Sequence, residues 1–284
     1  MSAAPLRWTL SGFGDEIDPE PATQLAVLQA LGSRHLEFRS AWGRNVADLG
    51  DDDIDRVAAL LDRAGMRVSA VASPIGKVPI EAPAEDEIAR LRRILEIARR
   101  LDAPYVRVFS FFTGPDPDAH RDAVLHRMRL LADEGERADV VLVHENEKEI
   151  YGDVPSRVLD IVESVGSSHL RLAWDNANFV QVGVRPFDEG YTMLRSHIEY
   201  LQVKDAVAAT GAVVPAGRGD GQLLETLTAL RDDGYSGFAS LEPHLDSGHL
   251  LGGFSGPRAF GTAARAFAAL LDRIGVSAGL DTAA

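Results

Sequence analysis

A single α/β barrel of eight strand–helix units is what the sequence predicts, on three observations. Eight short β-branched or aromatic runs alternate with apolar patterns of helical period, at intervals of roughly 30 to 40 residues. No Gly/Ser-rich linker or low-complexity tract interrupts the alternation. The 284 residues are close to the roughly 250 that one (β/α)8 barrel needs around a single core. Residues 1–275 therefore read as one barrel domain and residues 276–284 as a frayed tail.

The strand candidates are Trp8–Gly14, His35–Arg39, Arg67–Ser73, Tyr105–Phe111, Val140–Asn146, Leu170–Asp175, Ile198–Lys204 and Phe238–Glu242. Asp18 is placed to cap the first helix, with Pro19 at a position where its missing N–H costs nothing. Ile54, Val57, Leu60, Leu61 and Ala64 form the next apolar stripe, ended by Gly65. Ile88, Leu91, Leu95, Ala98 and Leu101 repeat it, and Pro104 stops it. Further helices follow Pro117, Pro155, Pro186, Asp220 and Pro257. The rival, an open doubly wound sheet, wants a phosphate-binding glycine turn after an early strand. Here that turn reads Gly12-Phe13-Gly14-Asp15-Glu16, and its two acids would repel a pyrophosphate.

Composition removes whole classes of function. With 43 Asp plus Glu against 29 Lys plus Arg, the net charge is −14 and no basic block relieves it, so nucleic acid is excluded as a partner. No apolar run of about 18 residues suggests a membrane span, and Met1 to Gly14 lacks a secretory pattern. The expectation is a cytoplasmic protein. Without cysteine there are no disulfides, thiolate metal sites or cysteine nucleophiles, so any metal must use oxygen or imidazole ligands.

Barrel enzymes carry their sites at the C-terminal strand ends, so the residues there are the candidates. The fifth strand ends His144-Glu145-Asn146-Glu147, the sixth Trp174-Asp175-Asn176, the seventh Gln202-Val203-Lys204-Asp205 and the eighth Leu241-Glu242-Pro243-His244. One strand-end acid is usually an ordinary salt-bridge residue. Glu145, Asp175 and Glu242 converging on one rim would repel each other, and a divalent cation relieves that repulsion. Glu147 and Lys148 read as a mutual pair in a solvated loop, and Lys204 and Asp205 as partners behind the site.

These segments carry a resemblance. His144-Glu145-Asn146-Glu147-Lys148-Glu149-Ile150-Tyr151-Gly152-Asp153, Asp175-Asn176-Ala177-Asn178-Phe179, Val203-Lys204-Asp205, Pro215-Ala216-Gly217-Arg218-Gly219 and Ser240-Leu241-Glu242-Pro243-His244 resemble, in order, motifs of the sugar phosphate isomerase/epimerase family. That is the xylose isomerase-like TIM barrel family, which includes ketose 3-epimerases and inosose dehydratases. The resemblance implies a metal set of Glu145, Asp175, Gln202 and Glu242, with Glu145 and Glu242 as the acid/base pair. Gln202 stands where the family normally has histidine. An all-oxygen set favours Mg²⁺ or Mn²⁺ over Zn²⁺. Arg218 matches an arginine that contacts distal sugar hydroxyls, and Asn178 and Lys204 join it among the substrate-binding positions. The implied partner is a small sugar or polyol, with homo-oligomers common in the family.

The residue types suit that chemistry. Moving a proton at a carbon beside a carbonyl needs a base, an acid and stabilisation of an enediolate. Inversion at that carbon gives epimerisation, protonation of its neighbour gives isomerisation, and loss of a β-hydroxyl gives a dehydratase. A metal-free sugar-binding barrel is the remaining alternative. A multi-zinc endonuclease on this barrel would need clustered histidines, whereas the eight here are scattered. Glu37 and Arg39 share a strand face and either touch substrate or pair with each other. Alternation turns His144 away from Glu145, towards a buried backbone-bonded role, while His244 shares Glu242's side if the strand runs on through Pro243, and there it either touches substrate or supports the ligands from behind. Trp42 is placed to stack on a sugar ring, and Lys77 to meet an anionic group.

Overall fold

The structure, a computed structural model, describes residues 7–246 and 253–278. Eight parallel strands build the wall: β1 (Arg7–Gly12), β2 (His35–Phe38), β3 (Arg67–Ala72), β4 (Tyr105–Val108), β5 (Val141–Glu145), β6 (Leu170–Asp175), β7 (Ile198–Val203) and β8 (Phe238–Leu241). Each strand pairs with its neighbour in sequence from β2 to β8, and β8 returns to β1. A parallel bridge between Phe13 and Glu37 joins the ends of β1 and β2 and closes the ring. All eight expected strands are present, each ending one to three residues from, or at, its predicted limit.

Around the wall lie α1 (Pro21–Ala30), α2 (Asp51–Ala64), α3 (Ala84–Arg100), α4 (Arg121–Ala138), α5 (Pro155–Val165), α6 (Asn176–Gln181), α7 (Leu223–Asp232) and α8 (Gly256–Ile274). Helix α2 carries the predicted stripe and ends at Gly65, whose φ of 60° is the left-handed cap a side chain would resist. Helix α1 departs from expectation. It starts at Pro21 with Glu20 as cap, because the Asp18 carboxylate accepts the Glu20 N–H at 2.8 Å and makes a turn before the helix. After Pro186 the chain makes a π-helical turn over Pro186–Tyr191 and a single helical turn over Thr192–Leu194.

Period-two alternation divides the wall into two faces. Outward residues such as Phe38, Val71, Leu142, Leu172, Trp174 and Leu201 join the helices in one continuous core. Burying each such side chain contributes about 1.5–3 kcal/mol. Inward, Ala70, Val143, Ala173 and Tyr200 fill the bore, with Tyr105 and Phe238 packed against them. The inward positions above that plug hold the polar strand ends. Ser277 and Ala278 pair with Arg7 and Trp8 of β1, so the tail expected to fray from residue 276 is ordered up to 278; its remainder lies outside the described residues. Among the described residues no helix is long and apolar enough to cross a membrane.

Candidate active site

The mouth of the barrel gathers buried charge. Glu145, Asp175 and Glu242, on β5, at the end of β6 and just past β8, present carboxylate oxygens within 4.8 Å of one another, and all three residues are buried. Each follows an outward-facing residue, His144, Trp174 or Leu241, so alternation alone aims them into the bore. Glu145 Oε1 accepts a hydrogen bond from Asn178 Nδ2 at 2.8 Å, and Oε2 faces Arg107 Nη1 at 3.0 Å. Asp175 also caps α6, accepting the Asn178 N–H at 2.9 Å, which brings Asn178 over Glu145. Lys204 Nζ sits between two of the acids, 3.1 Å from Asp175 Oδ2 and 2.9 Å from Glu242 Oε2.

Glu242 Oε1 is held by two further groups, Arg39 Nη1 at 3.2 Å and His244 Nε2 at 3.3 Å. Each is fixed in turn by an acid from the turn after β1. Arg39 Nε donates to Asp15 Oδ2 at 2.8 Å, and His244 Nε2 lies 3.0 Å from Glu16 Oε1 while its backbone N–H donates to Glu16 Oε2. Glu16 is fully buried and also takes the Ser255 hydroxyl, tying His244 and Ser255, on either side of residues 247–252, to the turn after β1. Arg39 and Arg107 both lie over the Phe13 ring, at 4.7 and 5.2 Å.

These neighbours set the ionisation of each group. Burial would raise the Glu242 carboxyl, but Lys204, His244 and Arg39 outweigh it and hold it well below the usual carboxylate range. Burial raises Glu145, with Arg107 only partly opposing it, and pushes Asp175 up to about 7 against Lys204. For His244 the lowering by burial is overcome by Glu242 and Glu16, which push it up to about 9.

The donor set fits a hard divalent cation. Gln202 is fully buried, and its Oε1 has no hydrogen-bond partner. Glu145 Oε2 and Asp175 Oδ2 meet cations but likewise make no hydrogen bond of ordinary geometry. Three underused oxygens beside Glu242 make an oxygen-only set of the kind Mg²⁺ and Mn²⁺ favour. Glu16, Glu242 and His244 form a second group of compatible spacing, with the imidazole lying between the two carboxylates.

The remaining expected positions fall in different places. Glu37 does not pair with Arg39. It sits fully buried in the bore, accepting from Tyr200 Oη at 3.0 Å and Gln202 Nε2 at 3.3 Å, and burial pushes its carboxyl up to about 8. Trp42 is apart from the cluster, under Arg56 at 4.1 Å and bonded to Glu20. Arg218 is exposed on a loop whose Gly217, Gly219 and Gly221 N–H groups all donate to Asp205. Glu147 pairs with Lys77 at 3.2 Å rather than with the Lys148 side chain, because the loop turns it across the β3 mouth. His144 points outward as expected, yet neither ring nitrogen has a hydrogen-bond partner among the described residues. Arg107, Asp15 and Glu16 were missed as site residues. A charged residue inside the apolar run Val106-Arg107-Val108, at an inward position, was the available signal.

Comparison with known proteins follows the same lines. A family model described as xylose isomerase-like TIM barrel matches residues 25–270. A 2-epi-5-epi-valiolone 7-phosphate 2-epimerase from Actinoplanes sp. is 29% identical over 220 residues, covering 75% of this chain and 78% of its own. A D-allulose 3-epimerase from Methylomonas sp., in complex with D-allulose, superposes with a TM-score of 0.74 at 13% identity, over 95% of this chain and 98% of that one. A xylose isomerase-like TIM barrel protein from Mycobacterium smegmatis, in complex with magnesium, gives a TM-score of 0.68 at 19% identity, over 97% and 98%.

Proposed function

This chain belongs to the xylose isomerase-like TIM barrel family, and from that premise we propose that it is a divalent-metal-dependent isomerase or epimerase of a small sugar or polyol ketone. The observation that carries the reading is the trio Glu145, Asp175 and Glu242, buried within 4.8 Å at the mouth. The epimerase names of the relatives in sequence and fold support the substrate class. Glu145, Asp175, Gln202 and Glu242 would hold the ion, Mn²⁺ or Mg²⁺. Bound there, such an ion would supply Lewis-acid polarisation of a substrate carbonyl and offset the negative charge left when the neighbouring carbon loses its proton.

The chain's own residues divide the proton work. Arg39, His244 and Lys204 keep Glu242 ionised, so it enters as the base that takes a proton from the carbon beside the carbonyl. Glu145 has one arginine and one amide, which hold it in place while leaving it able to carry the proton delivered to the other face. Arg218, exposed at the rim, is available for the distal end of the substrate.

The test is solvent exchange. Ketoses and inososes are incubated in D2O with the Mn²⁺-loaded protein, and deuterium at the carbon beside the carbonyl is followed by NMR. Exchange with epimer or isomer formation is expected, falling by about 10²–10⁴ in Glu145→Gln and in Glu242→Gln. An unsaturated product would instead identify a dehydratase on the same site. Sugar binding with no exchange, and no Mn²⁺ or Mg²⁺ bound at millimolar concentration, would leave a sugar-binding barrel and sink the proposal.

A further inference from the structure

A glutamine beside three carboxylates has an orientation problem. Its NH2 group is a donor and carboxylates are acceptors, so by default the amide would turn its nitrogen to the acids and present the wrong atom to a cation. Here the nitrogen is engaged elsewhere. Gln202 Nε2 donates to Glu37 Oε1 at 3.3 Å, and Gln202 Oε1 is left buried without a partner. Gln202 and Asp175 are register partners on β7 and β6, so that free oxygen lies at the level of the carboxylates.

Glu37 is itself fixed from beneath. Its Oε2 accepts from Tyr200 Oη at 3.0 Å, Tyr200 Oη meets Ser69 Oγ at 2.8 Å, and Ser69 Oγ meets Ser11 Oγ at 2.6 Å. This line of hydroxyls runs down the bore through fully buried residues. A carboxyl placed in a dry bore is costly, and the Tyr200 hydroxyl, the Ser240 side chain and the Arg107 charge offset only part of that cost. We propose that Glu37 is a positioning residue that takes the Gln202 amide nitrogen and so turns the Gln202 carbonyl oxygen to the cation. The inference rests on the metal reading above and deepens it: the Glu37–Gln202 pair does for an oxygen ligand what a hydrogen-bond acceptor behind a metal-bound histidine does for its tautomer.

The experiment measures Mn²⁺ affinity on the full chain stripped with EDTA, by water-proton relaxation, independently of turnover. Glu37→Met, which removes the acceptor at similar volume, is expected to weaken Mn²⁺ binding by about 10–100-fold. Glu37→Gln, which keeps an acceptor oxygen, restores it. In a Gln202→Ala background Glu37→Met brings no further loss, because Glu37 acts through that amide. Equal Mn²⁺ affinity in wild type and Glu37→Met, or an additive loss in the Gln202→Ala background, overturns the inference and leaves the metal reading standing. A wild-type protein that binds neither Mn²⁺ nor Mg²⁺ brings down the metal reading itself. Mg²⁺ titration of the wild type under ¹³C NMR removes any dependence on variant folding: the Gln202 carbonyl carbon must shift on binding, and an unmoved signal refutes its role.

Discussion

Glu145 and His144 are adjacent on β5 and both fully buried, yet they solve burial in opposite ways. Glu145 faces the bore among Arg107, Asn178, Asp175 and Glu242, where charge is met by charge. His144 faces the helices, beneath Gly152 and near Ile161, where burial alone pushes its imidazole down to about 3 and it stays neutral. At the rim the inner face thus tolerates Glu145, Asp175 and Glu242 because each has an opposite charge within about 3 Å; the outer face admits the His144 ring only in its uncharged form. One strand therefore separates a reactive environment from an inert one by a single residue step.

The strongest challenge to that contrast is to remove compensation from the inner face. Lys204→Met leaves Asp175 and Glu242 without the ammonium that bridges them. Loss of one partner from a buried ion pair costs about 3–5 kcal/mol. Metal-free Lys204→Met should show that loss in urea unfolding, with part recovered on adding Mg²⁺. A variant as stable as wild type would mean that paired charge is not what makes the rim tolerable.

How far the contrast could be read from sequence depends on which partners are local. Strand existence, the outward turn of His144 and the gathering of Glu145, Asp175 and Glu242 all follow from alternation within single strands. The partners that set each charge are contacts between distant segments. Arg107 to Glu145 spans 38 positions by number, and Arg39 to Glu242 spans 203. No periodicity announces such pairs. Asp15 and Glu16 illustrate the gap: read in sequence they argue against a phosphate loop, and only in space do they hold Arg39 and His244 against Glu242. The Pro19 start of α1 was lost to a side-chain turn, a local competition that residue type alone does not resolve.

A smaller effect is expected from overfilling the outer face. A Cβ on Gly152 would lie 2.8 Å from His144 Nε2 and 3.0 Å from Ile161 Cδ1. Gly152→Ala should destabilise by about 1–3 kcal/mol in thermal or urea unfolding. Because that strain falls on the helix side of β5, Mn²⁺ affinity should stay at the wild-type value. A matching loss of metal affinity would show that the two faces are coupled.

The finest test is His144's own proton. Its folded value of about 3 lies below the ordinary imidazole value of 6.5, so the unfolded chain takes up the proton first as pH falls. The contribution of the neutral buried ring is complete above about pH 6.5 and is lost as pH drops from there towards 3. One pH unit in that window is worth up to about 1.4 kcal/mol. The rim carboxylates titrate in the same range, so the wild type must be compared with His144→Leu, which keeps the apolar contacts and has nothing to protonate. Unfolding free energies measured at pH 7.5, 6.5 and 5.5 should show the wild type losing more than the variant, by about 1.4 kcal/mol at pH 5.5. Parallel curves would mean that His144 reaches water or a partner when protonated, and the outer face would then be no drier than the inner one.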